Sequence, residues 1–194
     1  MNTTEDILNK LESAGGIIRA KDLSSRQYHI LLEMVASGLV NRIGRGLYAT
    51  DDALANTIYD VRKLIPGGVI CTYTAWAYYG LCTQIPTTFC VAVARGRKFT
   101  LPDYPPITLY HQSEEQLQIG KTCVVINGLE VDIFDIERCV CDALKYRNKI
   151  GMDVCSEILQ TYIKMNGRNL NKLSKYAQRL RVGTLLHTYL EALL

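Results

Sequence analysis

The stretch from Gly16 to Thr50, GIIRAKDLSSRQYHILLEMVASGLVNRIGRGLYAT, leaves the chain few folds to choose from. Gly15-Gly16 stops a preceding helix, and Ile17-Ile18-Arg19 is a short β-branched run that favours a strand. Ala20 to Leu23 allows one helical turn, which Ser24-Ser25 breaks. The Ser25 hydroxyl is placed to cap a new helix by accepting from an orphan N–H. That helix is expected to run to about Ser37 and to stop at Gly38. Two apolar runs follow, Leu39-Val40 to Ile43 and Leu47 to Ala49. Gly44-Arg45-Gly46 separates them, which is the pattern of a β-hairpin. Helix, turn, helix and hairpin in this order make a winged helix-turn-helix.

Spacing divides the second helix into an inner and an outer face. Tyr28, Leu31, Leu32 and Val35 stand at i, i+3, i+4 and i+7 and form one apolar stripe, expected to be buried. Arg26, Ile30, Glu33 and Ser37 fall opposite, with Gln27 and His29 at the edges. Residues near the start of such a helix reach base edges in a DNA major groove. The candidate DNA-binding set is therefore Ser25, Arg26, Gln27, His29 and Ile30 on the helix, with Arg42 and Arg45 on the hairpin. Arg26 suits guanine, Gln27 suits adenine, and Ile30 suits a thymine methyl. Arg42 and Arg45 are placed to meet phosphates or a minor groove. The competing reading is ordinary surface charge on a small helical domain, or a winged helix that binds protein.

A net charge of +3 is weak evidence for an anionic partner, so the placement of charge carries more weight than its total. No apolar run reaches the length of a membrane span, and MNTTEDILNK lacks the apolar core of a signal peptide. The seven cysteines are Cys71, Cys82, Cys90, Cys123, Cys139, Cys141 and Cys155. No two of them have C-x-x-C spacing, so neither a zinc nor a redox site is expected. They read as reduced thiols of a cytoplasmic protein that needs no metal or other cofactor.

In chain order, Thr3 or Thr4 caps a first helix whose apolar face is Ile7, Leu8, Leu11 and Ala14. Asp51-Asp52 opens another, favoured by acids at its positive end. Leu54, Ile58, Val61 and Ile65 mark its buried side, and Pro66-Gly67-Gly68 ends it. This helix is expected to connect a domain of residues 1–66 to a second of residues 67–194. The second domain starts with Val69-Ile70-Cys71 as a strand, and Thr74 opens a helix that ends near Gly80. Thr88 to Ala94 and Ile107 to Tyr110 read as strands, with a proline-rich loop between them. Lys121–Ile126 and Leu129–Ile133 read as a hairpin around Asn127-Gly128. From Ile136 onward the chain is helical, with Ile136, Cys139, Val140, Ala143 and Leu144 as one stripe. Asp153 caps the next helix, and Leu170, Leu173, Ala177 and Leu180 line the one after it. The expected fold class is α+β: an N-terminal winged helix-turn-helix followed by a mixed α/β domain with a helical C-terminal half.

Several runs also resemble a known family. GGIIRAKDL through GLVNRIGRGLY is similar to the N-terminal domain of the AbiEi antitoxins, of the AbiE (type IV) toxin–antitoxin systems. The pattern of a small residue, Ala, an aromatic pair and GLxTxIP, in TAWAYYGLCTQIP, resembles the start of that family's C-terminal domain. IERCVCDALKYRNKIG resembles a third segment and keeps Asp142, Lys145, Tyr146, Arg147, Lys149 and Gly151. It departs at Cys139, where the family often has threonine. The resemblance implies an antitoxin that also represses its own operon by binding double-stranded operator DNA. It further implies a cognate nucleotidyltransferase-like toxin, neutralised without a stable complex, and contacts between DNA-bound copies.

Two charge patterns remain. From Lys145 to Arg181 there are nine Lys or Arg and two acids. Lys172, Lys175 and Arg179 fall at i, i+3 and i+7, and with Arg168 they read as a one-signed ridge facing an acidic partner or DNA phosphates. The bland alternative is a solvated helix face. Asp132, Asp135 and Asp142 cluster at a strand-to-helix junction, where a nuclease would hold magnesium. The simpler reading makes Asp135 a helix N-cap and Asp142 a surface acid. A repressor-antitoxin without enzymatic activity is thus the leading expectation. A stand-alone winged-helix regulator and a metal-dependent nuclease are the alternatives.

Overall fold

The computed structural model describes residues 3–55, 61–101, 105–126 and 128–193. The fold is mixed α+β with two sheets. It divides into two compact units: Met1–Gly68 with Arg97–Ile107 and Cys123–Val131, and Val69–Gly96 with Thr108–Thr122 and Asp132–Leu194. The first unit is thus discontinuous in sequence. Inside it, Arg62 Nη1 meets Glu130 Oε2 at 2.8 Å, and Arg62 Nη2 donates to Cys123 Sγ at 3.2 Å.

The first unit opens with α1 (Thr3–Ser13), which turns Ile7 and Leu11 fully inward and leaves Leu8 37% exposed. The chain turns at the end of α1, where the Gly16 N–H donates to Leu11 O. Next come β1 (Ile17–Arg19), a 3-10 turn over Ala20–Asp22, α2 (Ser25–Ala36), β2 (Asn41–Gly44) and β3 (Leu47–Ala49). The strands form a sheet in the order β1-β3-β2, with Tyr48 paired antiparallel to Ile18 on one side and Arg42 on the other. Ile7, Leu11, Ile18, Leu31, Met34, Val40 and Tyr48 make the core beneath it. Two further helical segments, α3 (Asp51–Ala55) and α4 (Val61–Leu64), are described in the connector. Ile65 is fully buried. Ile58 and the side chains of Leu54 and Val61 lie outside the described residues, as does the continuity of the expected single helix.

Two expectations for α2 are corrected. Its N-cap is Ser24, not Ser25: Ser24 Oγ accepts from the Gln27 N–H, and Gln27 Oε1 accepts from the Ser24 N–H. This reciprocal capping box satisfies two donors at once. The expected stripe holds at Leu31 and at Tyr28 and Val35, which pack against the core, but not at Leu32. Leu31 and Met34 are buried with Ile30 and Val35 packed beside them, whereas Leu32 is 39% exposed. Gln27-Ile30-Leu31-Met34 and Tyr28-Leu31-Leu32-Val35 both satisfy the i, i+3, i+4, i+7 rule. The buried face takes residues from both, with Leu31 and Met34 at its centre and Tyr28, Ile30 and Val35 at its sides. We expect Ser24→Ala to cost about 1 kcal/mol in urea unfolding of the full chain. Ser25→Ala should stay within about 0.5 kcal/mol, and the reverse order would return the cap to Ser25.

The larger sheet has the order β6-β5-β4-β8-β7, from β4 (Val69–Ile70), β5 (Phe89–Ala94), β6 (Ile107–Gln112), β7 (Lys121–Ile126) and β8 (Leu129–Phe134). β4 runs antiparallel to β5 and parallel to β8, with Ile70 opposite Ile133. The helices are α5 (Thr72–Tyr78), α6 (Glu114–Gln118), α7 (Ile136–Ile150), α8 (Met152–Lys164), α9 (Leu170–Arg179) and α10 (Gly183–Leu193). α5 begins at Thr72 rather than Thr74, and α6, capped by Ser113, is an element without an apolar pattern to announce it. α8 starts from Gly151 rather than from a capping Asp153.

α7 is the axis of the second unit. It packs on α5, α8, α9 and α10, and its residues from Glu137 to Leu144 are all buried. Asp142, expected at the surface, is therefore fully buried. Arg138, also fully buried, sits one turn before it, with Nε 3.1 Å from Asp142 Oδ1. Arg138 Nη1 donates to the carbonyls of Gln116 (2.6 Å) and Ile119 (2.8 Å), Nη2 donates to Gln112 Oε1, and the guanidinium lies over the Phe134 ring. Burial pushes the Asp142 carboxyl up, and the Arg138 charge opposes that rise.

All seven cysteines are free thiols; Cys123 is exposed, Cys82 half-buried and the other five buried. Burial raises Cys71 and Cys139 well above the usual thiol range, Cys141 to about 12 and Cys155 to about 11. The fold favours the neutral thiol. Its contribution is therefore whole below the unfolded value of about 8.5 and disappears as pH climbs through the folded values. Urea midpoints should fall steadily from pH 8.5 to pH 11. A flat profile would mean that these thiols ionise freely in the native state. At neutral pH, Ellman's reagent should modify Cys123 first.

Candidate nucleic-acid interface

Residues 17–50 carry five Lys or Arg against two acids, a surplus equal to that of the whole chain. The outer face of α2 presents Ser25, Arg26, His29, Leu32 and Glu33 to solvent. Arg26 and His29 have no side-chain hydrogen bond or ion pair among the described residues. The sheet brings the hairpin to this helix: Arg42 pairs across from Tyr48, whose hydroxyl lies 3.3 Å from that of Tyr28 in the first turns of α2. Arg42 is exposed, its Nε 3.4 Å from Gly44 O, and Arg45 is exposed at the hairpin turn.

Two of the expected contact residues are placed otherwise. Gln27 is not available to read a base. Besides closing the capping box, its Nε2 donates to Asp6 Oδ2 at 2.8 Å, and its Oε1 accepts from Lys10 Nζ at 3.2 Å. It ties α2 to α1. Ile30 packs against the core cluster rather than pointing outward, because the buried face of the helix is wide enough to take it in beside Leu31 and Met34. Leu32 takes the apolar position on the outer face that Ile30 was expected to hold.

Residues that the sequence pattern did not bring together also gather here. Gly46 O accepts from the Ala20 N–H at 2.9 Å, which fastens the hairpin turn to the 3-10 turn. Arg19, Lys21 and Arg45 then share a cleft of about 460 Å3 with Arg97 and Lys98. The run Arg95-Gly96-Arg97-Lys98 was the available sequence signal.

The basic ridge of α9 is corrected. Lys172 Nζ lies 3.1 Å from Asp135 Oδ2 and 3.0 Å from Glu137 Oε2. Burial works to lower its pKa, but bonds to Glu137 and Asp135 outweigh it and hold the ammonium above its usual range. Arg179 faces Glu115 at 3.6 Å in an exposed pair. Arg168 donates to its own chain at Met165 O. Lys175 is exposed without an ion pair among the described residues, and one such cation does not make a ridge.

The three aspartates near the strand-to-helix junction have separate tasks. Asp132 pairs with Lys121 at 3.0 Å, Asp135 caps α7 by accepting from the Arg138 N–H at 2.9 Å, and Asp142 holds Arg138. Among the described residues, no group of three His, Cys, Asp or Glu side chains is arranged to hold a metal ion. No described helix is long and apolar enough to cross a membrane. No known family model matches the chain, and no curated protein matches it.

Proposed function

We propose that residues 17–50 form a winged helix-turn-helix that binds double-stranded DNA, with the outer face of α2 in the major groove and the hairpin as the wing. The observation that carries this reading is the exposed Arg26 and His29 on α2, unpaired among the described residues and joined through Tyr28 and Tyr48 to the arginine-bearing hairpin. Helix-start side chains reach base edges, and basic hairpins meet the backbone. The contact set is Ser25, Arg26, His29, Arg42 and Arg45, with Leu32 beside them.

The wider function proposed is that of a repressor-antitoxin without catalytic activity. The resemblance of the GGIIRAKDL, GLVNRIGRGLY and IERCVCDALKYRNKIG runs to the AbiEi antitoxins supports it. The partners are operator DNA in its own promoter and a nucleotidyltransferase-like toxin encoded beside it. The second unit provides antitoxin activity and contacts between DNA-bound copies. The protein acts in the cytoplasm.

The test is a titration of the full chain against duplex DNA from the region upstream of its reading frame, alongside an unrelated duplex. Tighter binding upstream is expected, with affinity falling linearly in log salt. Equal affinity for both duplexes removes the repressor function. Growth of cells expressing the neighbouring reading frame, with and without this chain, tests the antitoxin function.

A further inference from the structure

The cleft beside the hairpin turn has a composition that calls for an anion. Arg19, Lys21, Arg45, Arg97 and Lys98 line it over a floor that includes Leu47, Leu64 and Phe99. Among the described residues no acid lines it, and none of the five cations has an ion pair. Like charges gathered this closely repel one another, and a concave, one-signed site focuses its field on a counter-charge.

Two details show that the site is held in place. Arg97 is seated by its surroundings: its guanidinium stacks 4.9 Å from the centre of the Phe99 ring. Its Nη1 also lies close over Gly67, 2.7 Å from where a β-carbon would stand. Arg19 Nε is buried with no hydrogen-bond partner among the described residues. A buried charged donor without an acceptor is costly, and native structures rarely keep one unfilled.

We infer that this cleft is a phosphate-binding site, in which Arg97 and Lys98 join Arg19, Lys21 and Arg45 around a phosphate group. Guanidinium forks match tetrahedral phosphate oxygens, and lysines add compact charge. The phosphate comes either from a DNA backbone passing the hairpin or from a free phosphorylated compound. The DNA source rests on the reading of residues 17–50 as a DNA-binding unit; the phosphate chemistry does not.

The experiment uses the full chain and two variants, Lys98→Gln and the double Arg97→Gln/Lys98→Gln. Lys98→Gln leaves the Arg97–Phe99 stack intact, and matched melting curves establish that each variant is folded. The probes are a short DNA duplex and inorganic tripolyphosphate. With DNA as source, the double variant's log-affinity against log-salt slope falls by about 1.8, about 0.9 per lost contact, and Lys98→Gln loses half of that. If the unaltered chain binds no duplex but binds tripolyphosphate, and the variants lose that binding, the cleft stands with a free phosphate compound as its ligand and the DNA reading falls. If neither duplex slope nor tripolyphosphate affinity changes in the folded variants, the phosphate site is overturned, whether or not the chain binds DNA.

Discussion

Replacing Arg138 by methionine is expected to destabilise the protein by about 3–5 kcal/mol, the usual cost of removing one partner of a buried ion pair. The side chain is fully buried, and its guanidinium serves one carboxylate, two main-chain carbonyls and one side-chain amide. Without it, Asp142 is left buried without its partner in α7, and the carbonyls of Gln116 and Ile119 lose their donor. The double variant Arg138→Met/Asp142→Leu should recover most of the loss, since a buried pair replaced by apolar groups of similar volume is often neutral. Gly120→Ala strikes the same place from the other side. A β-carbon there would stand 2.5 Å from Arg138 Cβ, at a φ of +72° that only glycine adopts without strain. Urea unfolding of the three variants checks the set. A loss below about 1 kcal/mol for Arg138→Met would mean that the guanidinium network does not hold the second unit together.

Arg138 and Asp142 also show where sequence reading runs out. An Arg and an Asp four residues apart look like an ordinary surface pair on an exposed helix face. Arg138 is buried beneath Gln112, Gln116, Ile119 and Phe134, on a helix that α5, α8, α9 and α10 also pack against, and those neighbours are long-range facts that no local period records. The α9 ridge fails for a related reason. Along its own helix Lys172 has no acid to answer it, but Asp135 and Glu137 reach it from the start of α7. Charge patterning within one element finds only the partners that the element itself carries.

What was legible was local. Gly15-Gly16, Gly38 and the Gly44-Arg45-Gly46 turn punctuate the first unit close to where its elements end. β5 was readable from its unbroken apolar run, and Asp135 as a helix cap from its place before Ile136. The buried face of α2 was legible at Tyr28, Leu31 and Val35 but its edges were not: Ile30 and Met34 belong to it and Leu32 does not. Those edges matter for the site: Ile30 is turned inward, Gln27 is held by Asp6 and Lys10, and Leu32 lies outside beside the exposed Arg26 and His29.

The substitution with the largest expected effect on binding is therefore the triple variant Arg26→Ala, Arg42→Ala and Arg45→Ala. All three side chains are exposed, and among the described residues only Arg42 has a bond, a long one to Gly44 within its own hairpin. Each change should alter stability by no more than about 0.5 kcal/mol. Their effects on DNA should differ in kind. Loss of Arg42 and Arg45 removes two backbone contacts, which weakens binding to every sequence alike and reduces the salt slope by about 1.8. Loss of Arg26 instead relaxes preference at one base position by about 1–3 kcal/mol, because a bidentate contact to a guanine edge discriminates among bases and a phosphate contact does not. Single variants measured on matched and base-substituted duplexes at several salt concentrations separate these terms. If Arg26→Ala changes the salt slope but not the base preference, α2 meets the backbone and sequence is read elsewhere. If the folded triple variant binds duplex DNA as tightly as the parent, then α2 and the hairpin are not the DNA-binding surface.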